Sequence, residues 1–238
     1  MTKPVGFDQK VLLHHLDYTA NHTKKYSRQE MYDVLDGYLR NDITGAKSRK
    51  NAITMLMKIW YLVNEDIAIM RNRLLDILPD LTKEERILVH WGMTLAAYPF
   101  FKDVAQEFGK LFKLQDEVQS MVIGKRMKEA YGDRRRVEVA TSAVLMSMKA
   151  WGLIDVGKSR SYRVKEKIEI SNPEMQSFII HILLYVLDHK ALQLDVIQNH
   201  ILFFPFSYEF NLMELRKNPD FVFHRQGVDT IVVERNID

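Results

Sequence analysis

Two copies of one short pattern each open an apolar stripe of helical period. Ser27 with Glu30, and Thr82 with Glu85, have the spacing of a capping box, in which each side chain satisfies an orphaned backbone N–H at a helix start. After Ser27, the residues Met31, Val34, Leu35, Tyr38 and Leu39 recur at i, i+3, i+4, which predicts a helix over 27–39. After Thr82 the pattern runs to Pro99, where a proline must stop or kink it. From there Phe101, Val104, Phe108, Leu111 and Phe112 share a new face. Gly45 breaks the chain earlier, Ser48 is placed to cap a helix to about Val63, and a helix over 66–78 ends at Pro79. A weaker stretch spans 116–131, and Asp133 is placed to cap a long helix to Trp151. With 10 Gly and 6 Pro in 238 residues, breakers are too sparse for a turn-rich all-β fold.

The period then changes. Leu153–Val156, a turn at Gly157–Arg160 and alternation from Tyr162 to Ile170 predict a β-hairpin. Pro173 opens an apolar helix to about Leu187, and a further helix is expected to about Leu202. Alternation on both sides of Gln226-Gly227 predicts a second hairpin in the tail. Helices followed by a hairpin thus occur twice, over 100–170 and 174–236. The expected fold is mainly α with small β-hairpins: a helical bundle with helix-turn-helix character (1–80), a winged-helix-like basic unit (81–170), and C-terminal helices plus a hairpin (171–238). The longest apolar stretches, Ala52–Val63 and Phe178–Leu187, fall well short of the ~20 residues that span a bilayer. Met1–Lys10 has no apolar run of signal-peptide length, so a soluble cytoplasmic protein without a membrane partner is expected.

Few chemistries have a signature here. The chain has no cysteine, which excludes disulfides, thiolate metal sites and a thiol nucleophile. Glycine-rich phosphate loops, a nucleophile elbow and the H-E-x-x-H metal motif are absent. His14, His15 and His22 form the only histidine cluster, with packing or solvated roles favoured over a metal. His181 reads as a satisfied core histidine. The expectation is a protein without enzymatic activity, cofactor or metal.

Charge carries the functional signal. Twelve cations against five acids give Lys125–Lys167 a net +7 in a chain whose total is +3. Lys125, Arg126, Lys128, Arg134, Arg135 and Arg136 gather around the opening of the long helix, and Lys158, Arg160 and Arg163 mark the hairpin turn. A recognition helix enters the major groove with its N-terminal residues toward the bases, and a wing beside it reaches phosphate. Lys47, Arg49 and Lys50 form a second, weaker basic site at a helix start, where cations oppose the helix dipole and an anionic partner would relieve a local cost. The pattern predicts binding of nucleic acid mainly through phosphates. The competing readings are a solvated basic face on a helical protein, and a scaffold protein whose helices and tail hairpin dock other subunits. The Ile201–Phe206 run would serve that role if exposed.

Four segments together resemble a family: Lys47-Ser48-Arg49-Lys50, Leu81-Thr82-Lys83-Glu84-Glu85-Arg86, Tyr98-Pro99-Phe100-Phe101-Lys102-Asp103, and Arg134–Asp155 with its Met148-Lys149-Ala150-Trp151-Gly152-Leu153-Ile154-Asp155 ending. Over about 27–170 the chain looks like the BrxA proteins of bacterial BREX phage-exclusion systems. That resemblance implies a small, non-enzymatic helical and winged-helix protein that binds double-stranded DNA and works beside other BREX proteins, including a methyltransferase and ATPases. A likeness drawn between such proteins and the antitermination factor NusB keeps RNA open as a ligand. Residues 190–238 lie outside the resemblance.

Overall fold

The computed structural model describes residues 3–227 and 229–236. Both capping boxes form. Ser27 opens the second helix, and Thr82 opens the fifth with its hydroxyl accepting from Glu85 N–H. The first half is helical throughout: α1 Leu13–His22, α2 Arg28–Leu39, α3 Ala46–Leu56, α4 Glu65–Ile77, α5 Lys83–Ala97 and α6 Pro99–Phe112. Pro99 sits in the first turn of α6, where its missing N–H costs nothing. Beyond Leu56 the backbone of α3 widens into a π-turn over Met57–Tyr61. Arg71 closes that turn by donating to the Trp60 and Tyr61 carbonyls.

The second half interleaves helices with short strands: β1 Val118–Gln119, α7 Ser120–Tyr131, α8 Arg135–Ala150, β2 Ile154–Val156, β3 Ser161–Val164, β4 Ile168–Glu169, α9 Pro173–Val186, β5 Ala191–Gln193, α10 Leu194–Gln198, β6 Phe206–Ser207, α11 Leu212–Leu215, β7 Phe221–Gln226 and β8 Thr230–Arg235. Antiparallel pairing places β3 between β1 and β2, and β8 between β5 and β7. Two sheets of one plan therefore form, each with the last strand in the middle. The expected mainly helical fold with small hairpins is what the chain adopts.

Four expectations are corrected. Ser48 is not a cap, because α3 begins at Ala46 after Gly45, where Arg49 ties the preceding loop by donating to the Ile43 and Thr44 carbonyls. Asp133 is not a cap either. Its carboxylate lies 2.9 Å from the Lys128 ammonium, and the extended Arg134 takes the position before α8. The alternation from Tyr162 to Ile170 is two strands: β3 ends at Val164, and β4 leaves the hairpin to pair in parallel with β6. The helix expected up to Leu202 is β5, the single turn and a half of α10, and a 3-10 turn over Ile201–Phe203.

The buried apolar residues form one cluster that runs from Val5 to Val233. The expected boundaries at 80 and 170 are crossed by core packing. The first segment is bound to α8, as Val11 N–H donates to Ser147 Oγ and Trp151 Nε1–H donates to the Val11 carbonyl. Trp91, fully buried on α5, donates to the Leu202 carbonyl at 3.0 Å.

Two glycines allow close approach. A Cβ on Gly92 of α5 would lie 2.4 Å from the Phe178 ring of α9. A Cβ on Gly109 of α6 would lie 2.1 Å from the Ile201 carbonyl oxygen, a backbone atom that no rotamer change can move. Gly109→Ala is therefore expected to destabilise the fold by ~1–3 kcal/mol or more, despite alanine's better helix propensity. Urea denaturation checks this, and a stabilised variant would contradict the α6 packing described here.

Candidate nucleic-acid interface

Structure divides the basic residues into two groups. Those around the start of α8 are largely neutralised. Arg126 reaches Glu107 on α6 at 2.6 Å, and Arg136 reaches Asp8 at 2.9 Å. Lys128 contacts both Asp133 and Glu138, at 2.9 and 2.6 Å, and Arg135 shares Glu138 at 3.0 Å. The paired carboxylates raise the Lys128 ammonium, and the Lys128 and Arg135 cations lower Glu138. Arg134 folds back to donate to the Tyr131 and Lys3 carbonyls, which closes the C-terminus of α7. Lys125 is exposed, with Glu129 4.0 Å away. At the other basic site Arg49 is committed to Asp36, at 2.6 Å, and to loop carbonyls, whereas Lys47 and Lys50 are exposed. The carboxyl of Asp36 is held below its ordinary range, first by Arg49 and then by Arg40.

The hairpin between β2 and β3 is different. Lys158, Arg160, Arg163 and Lys167 are all exposed, and none makes an ion pair among the described residues. Lys165, just past the end of β3, is paired, 3.5 Å from Asp155 on β2. The tip is built in an uncommon way. Ser159 and Arg160 both have positive φ, at 54° and 59°, in a turn where asparagine and glycine are the usual residues. Gly157 N–H donates to the Ser161 carbonyl to close it. The Ser161 hydroxyl, fully buried with its residue, is shared between the Lys158 carbonyl and the Glu117 carboxylate, each 2.7 Å away. The turn is thus anchored at its base while its cations face solvent. Non-glycine residues held at positive φ cluster at functional sites.

The exposed side of α8 carries Arg135, Val139, Ser142, Met146 and Lys149, at i, i+4, i+3, i+4, i+3 spacing. Charge counting includes Lys149 and Lys167 among its twelve cations without marking them as site residues, and it leaves out the exposed Lys113 that follows α6. The signal for Lys149 is its phase on α8. Lys113 carries none, since only folding brings it near the hairpin.

The histidines do not form the cluster their spacing suggests. His14 and His15 meet Asp42 at 2.9 and 3.0 Å, whereas His22 turns back to donate to the Tyr18 carbonyl. These two histidines and Asp42 could surround a cation, but Leu12 N–H donates to His15 Nδ1. The ring proton then lies on Nε2 toward Asp42, where a metal would need a lone pair. The expected core role of His181 is met, since it is 13% exposed and lies 3.2 Å from Asp220. The Ile201–Phe206 run is core: Leu202, Phe203, Phe204 and Phe206 are all buried, so it offers no exposed aromatic patch.

Burial pushes His181 down to about 4 against the partial opposition of Asp220, and burial with nearby Lys113 does the same to His200. Both are neutral in the fold near pH 7. The unfolded chain binds these protons first, around 6.5, so stability is full above that value and falls as the pH drops from 6.5 toward 4. The loss is up to ~1.4 kcal/mol per pH unit for His181 alone. Urea midpoints measured at pH 7 and pH 5 should show it, and His181→Gln should shrink the difference.

No protein-family model matches the chain, and no curated protein or solved structure matches it. Among the described residues no helix is long and apolar enough to cross a membrane.

Proposed function

We propose that this chain binds double-stranded DNA, without catalysing a reaction, as an accessory protein of a BREX-like phage-defence system. The observation that carries the reading is the set of exposed, unpaired cations on the anchored β2–β3 hairpin, Lys158, Arg160 and Arg163, with Lys167 in the segment that follows β3. The order α6, β1, α7, α8, β2, β3 with β3 central supports a winged-helix reading, in which α8 would be the helix laid toward the groove and the hairpin the wing. On α8, Lys149 and Ser142 are suited to phosphate, and Val139 and Met146 to apolar contact in the groove. With β6 inserted between α10 and α11, the order α9, β5, α10, α11, β7, β8 has a similar plan, but α10 and α11 are much shorter than α7 and α8. Because Arg135 and Arg136 are ion-paired and Arg134 is held by backbone carbonyls, the hairpin rather than the helix start is the main source of phosphate contact. Little sequence preference is expected from such a surface.

The test is fluorescence anisotropy of a labelled duplex of ~20–30 bp at low salt, where phosphate contacts are strongest, with duplex RNA of the same sequence alongside. Binding of the DNA in preference to the RNA is expected. Equal or tighter binding of RNA would replace DNA as the ligand, and no binding of either would overturn the reading.

A further inference from the structure

A cleft of about 510 Å³ opens between the end of α6, strand β3 and the 198–208 segment. That volume lies within the ~300–1,000 Å³ of small-molecule sites. One wall is aromatic: the half-buried ring of Phe112 lies against that of Phe204, with centroids 5.5 Å apart. Cations also line the cleft: Arg163 on β3, Lys167 in the segment after it, and Lys113 next to Phe112. Of the two carboxylates lining the cleft, Glu117 is engaged by the Ser161 hydroxyl and Asp116 is exposed. The parallel pairing of β4 with β6, Ile168 opposite Phe206, ties the segment that holds Lys167 to the aromatic wall. His200 adds a neutral donor, since its Nδ1 accepts from Leu202 N–H at 3.3 Å and the ring proton is left on Nε2. Gln115, Gln198 and Asn199 supply amides along the same cleft.

We propose that this cleft binds a nucleotide, with the planar base on Phe112 and the phosphate at Arg163 and Lys167. Three features select this class. An aromatic face accepts any base by stacking. An arginine fork and an adjacent ammonium match a phosphate. Amides and an imidazole N–H can meet the polar edges of a base. The ligand is either a free nucleotide or an unpaired nucleotide at a strand end, and the site stands whether or not the chain binds duplex DNA.

Isothermal titration of the full chain with adenosine 5′-monophosphate, adenosine, inorganic phosphate and a 5′-phosphorylated single-stranded tetranucleotide tests this. The monophosphate is expected to bind, with adenosine and phosphate alone each weaker by at least ~tenfold. Arg163→Gln with Lys167→Gln, both exposed and safe for folding, should weaken the monophosphate by at least ~tenfold. Phe112→Leu should weaken it as well while leaving phosphate unchanged. Lys158→Gln with Arg160→Gln, outside the cleft, should leave the monophosphate unaffected, whatever it does to duplex DNA. A tetranucleotide tighter than the monophosphate identifies a strand end as the ligand, and an equal or weaker one identifies a free nucleotide. No heat with either at millimolar concentration, or binding indifferent to Arg163→Gln with Lys167→Gln, would overturn the proposal.

Discussion

Reversing three charges on the hairpin, by Lys158→Glu, Arg160→Glu and Arg163→Glu together, is expected to weaken duplex DNA binding by ~100-fold or more at 0.15 M salt. Each of these cations is exposed and unpaired, so each is free to displace a counterion from a phosphate. None is buried, and the turn is closed by the Gly157 N–H and the Ser161 hydroxyl, so the fold should be retained. The companion variant is the sharper half of the prediction. Arg135→Gln with Arg136→Gln removes two cations that Glu138 and Asp8 already neutralise, and should change affinity by no more than ~threefold. A loss as large as that of the hairpin variant would show that those ion pairs open on binding and that the start of α8 is the main contact. Arg49→Gln belongs with stability instead, because it strips one oxygen of the Asp36 carboxylate, whose other oxygen Arg40 keeps, and leaves the Ile43 and Thr44 carbonyls without their donor.

Trp91→Ala is expected to be the most damaging single substitution for stability. Trp91 is 0% exposed on α5 and packs its ring against Phe101, Trp151, Phe204 and Phe206, with centroids 5.1–6.4 Å away. It also donates to the Leu202 carbonyl, which has no substitute donor from alanine. Truncating a buried tryptophan costs ~3–5 kcal/mol, and a stranded buried carbonyl adds ~1–3 kcal/mol. Against a typical domain stability of ~5–15 kcal/mol, much of the total would be lost. Because these contacts reach from α5 to α6, α8 and the 202–206 segment, one cooperative urea transition should shift as a unit. A loss below ~1.5 kcal/mol, or a split transition, would contradict a single core.

The parts of this fold that local chemistry dictates could be read ahead of the structure. The capping boxes at Ser27 and Thr82, Pro99 at the head of α6, and the stripes behind them rest on contacts within a few residues. The two hairpins also announced themselves, because β3, β7 and β8 alternate and their turns are short. Strand β1 did not, since two residues cannot display a period and Val118 becomes a strand only by pairing with Tyr162. Ser48 and Asp133 have good capping chemistry, but Arg49 and Lys128 claim the surroundings through contacts that no local rule contains. The candidate interface failed to be legible in the same way. Counting charge along 125–167 found the basic unit, yet Glu107 and Asp8, which neutralise Arg126 and Arg136, lie outside that window. Only the fold separates the paired cations of the helix start from the unpaired ones of the hairpin.

The most direct measurement is the slope of log affinity against log salt for duplex DNA, in the wild type and in the neutralised Lys158→Gln/Arg160→Gln/Arg163→Gln variant. Each phosphate contact contributes about 0.9 to that slope, so the loss of three should make it shallower by about 2.7. A slope unchanged by the three substitutions would mean that the hairpin does not touch the phosphates.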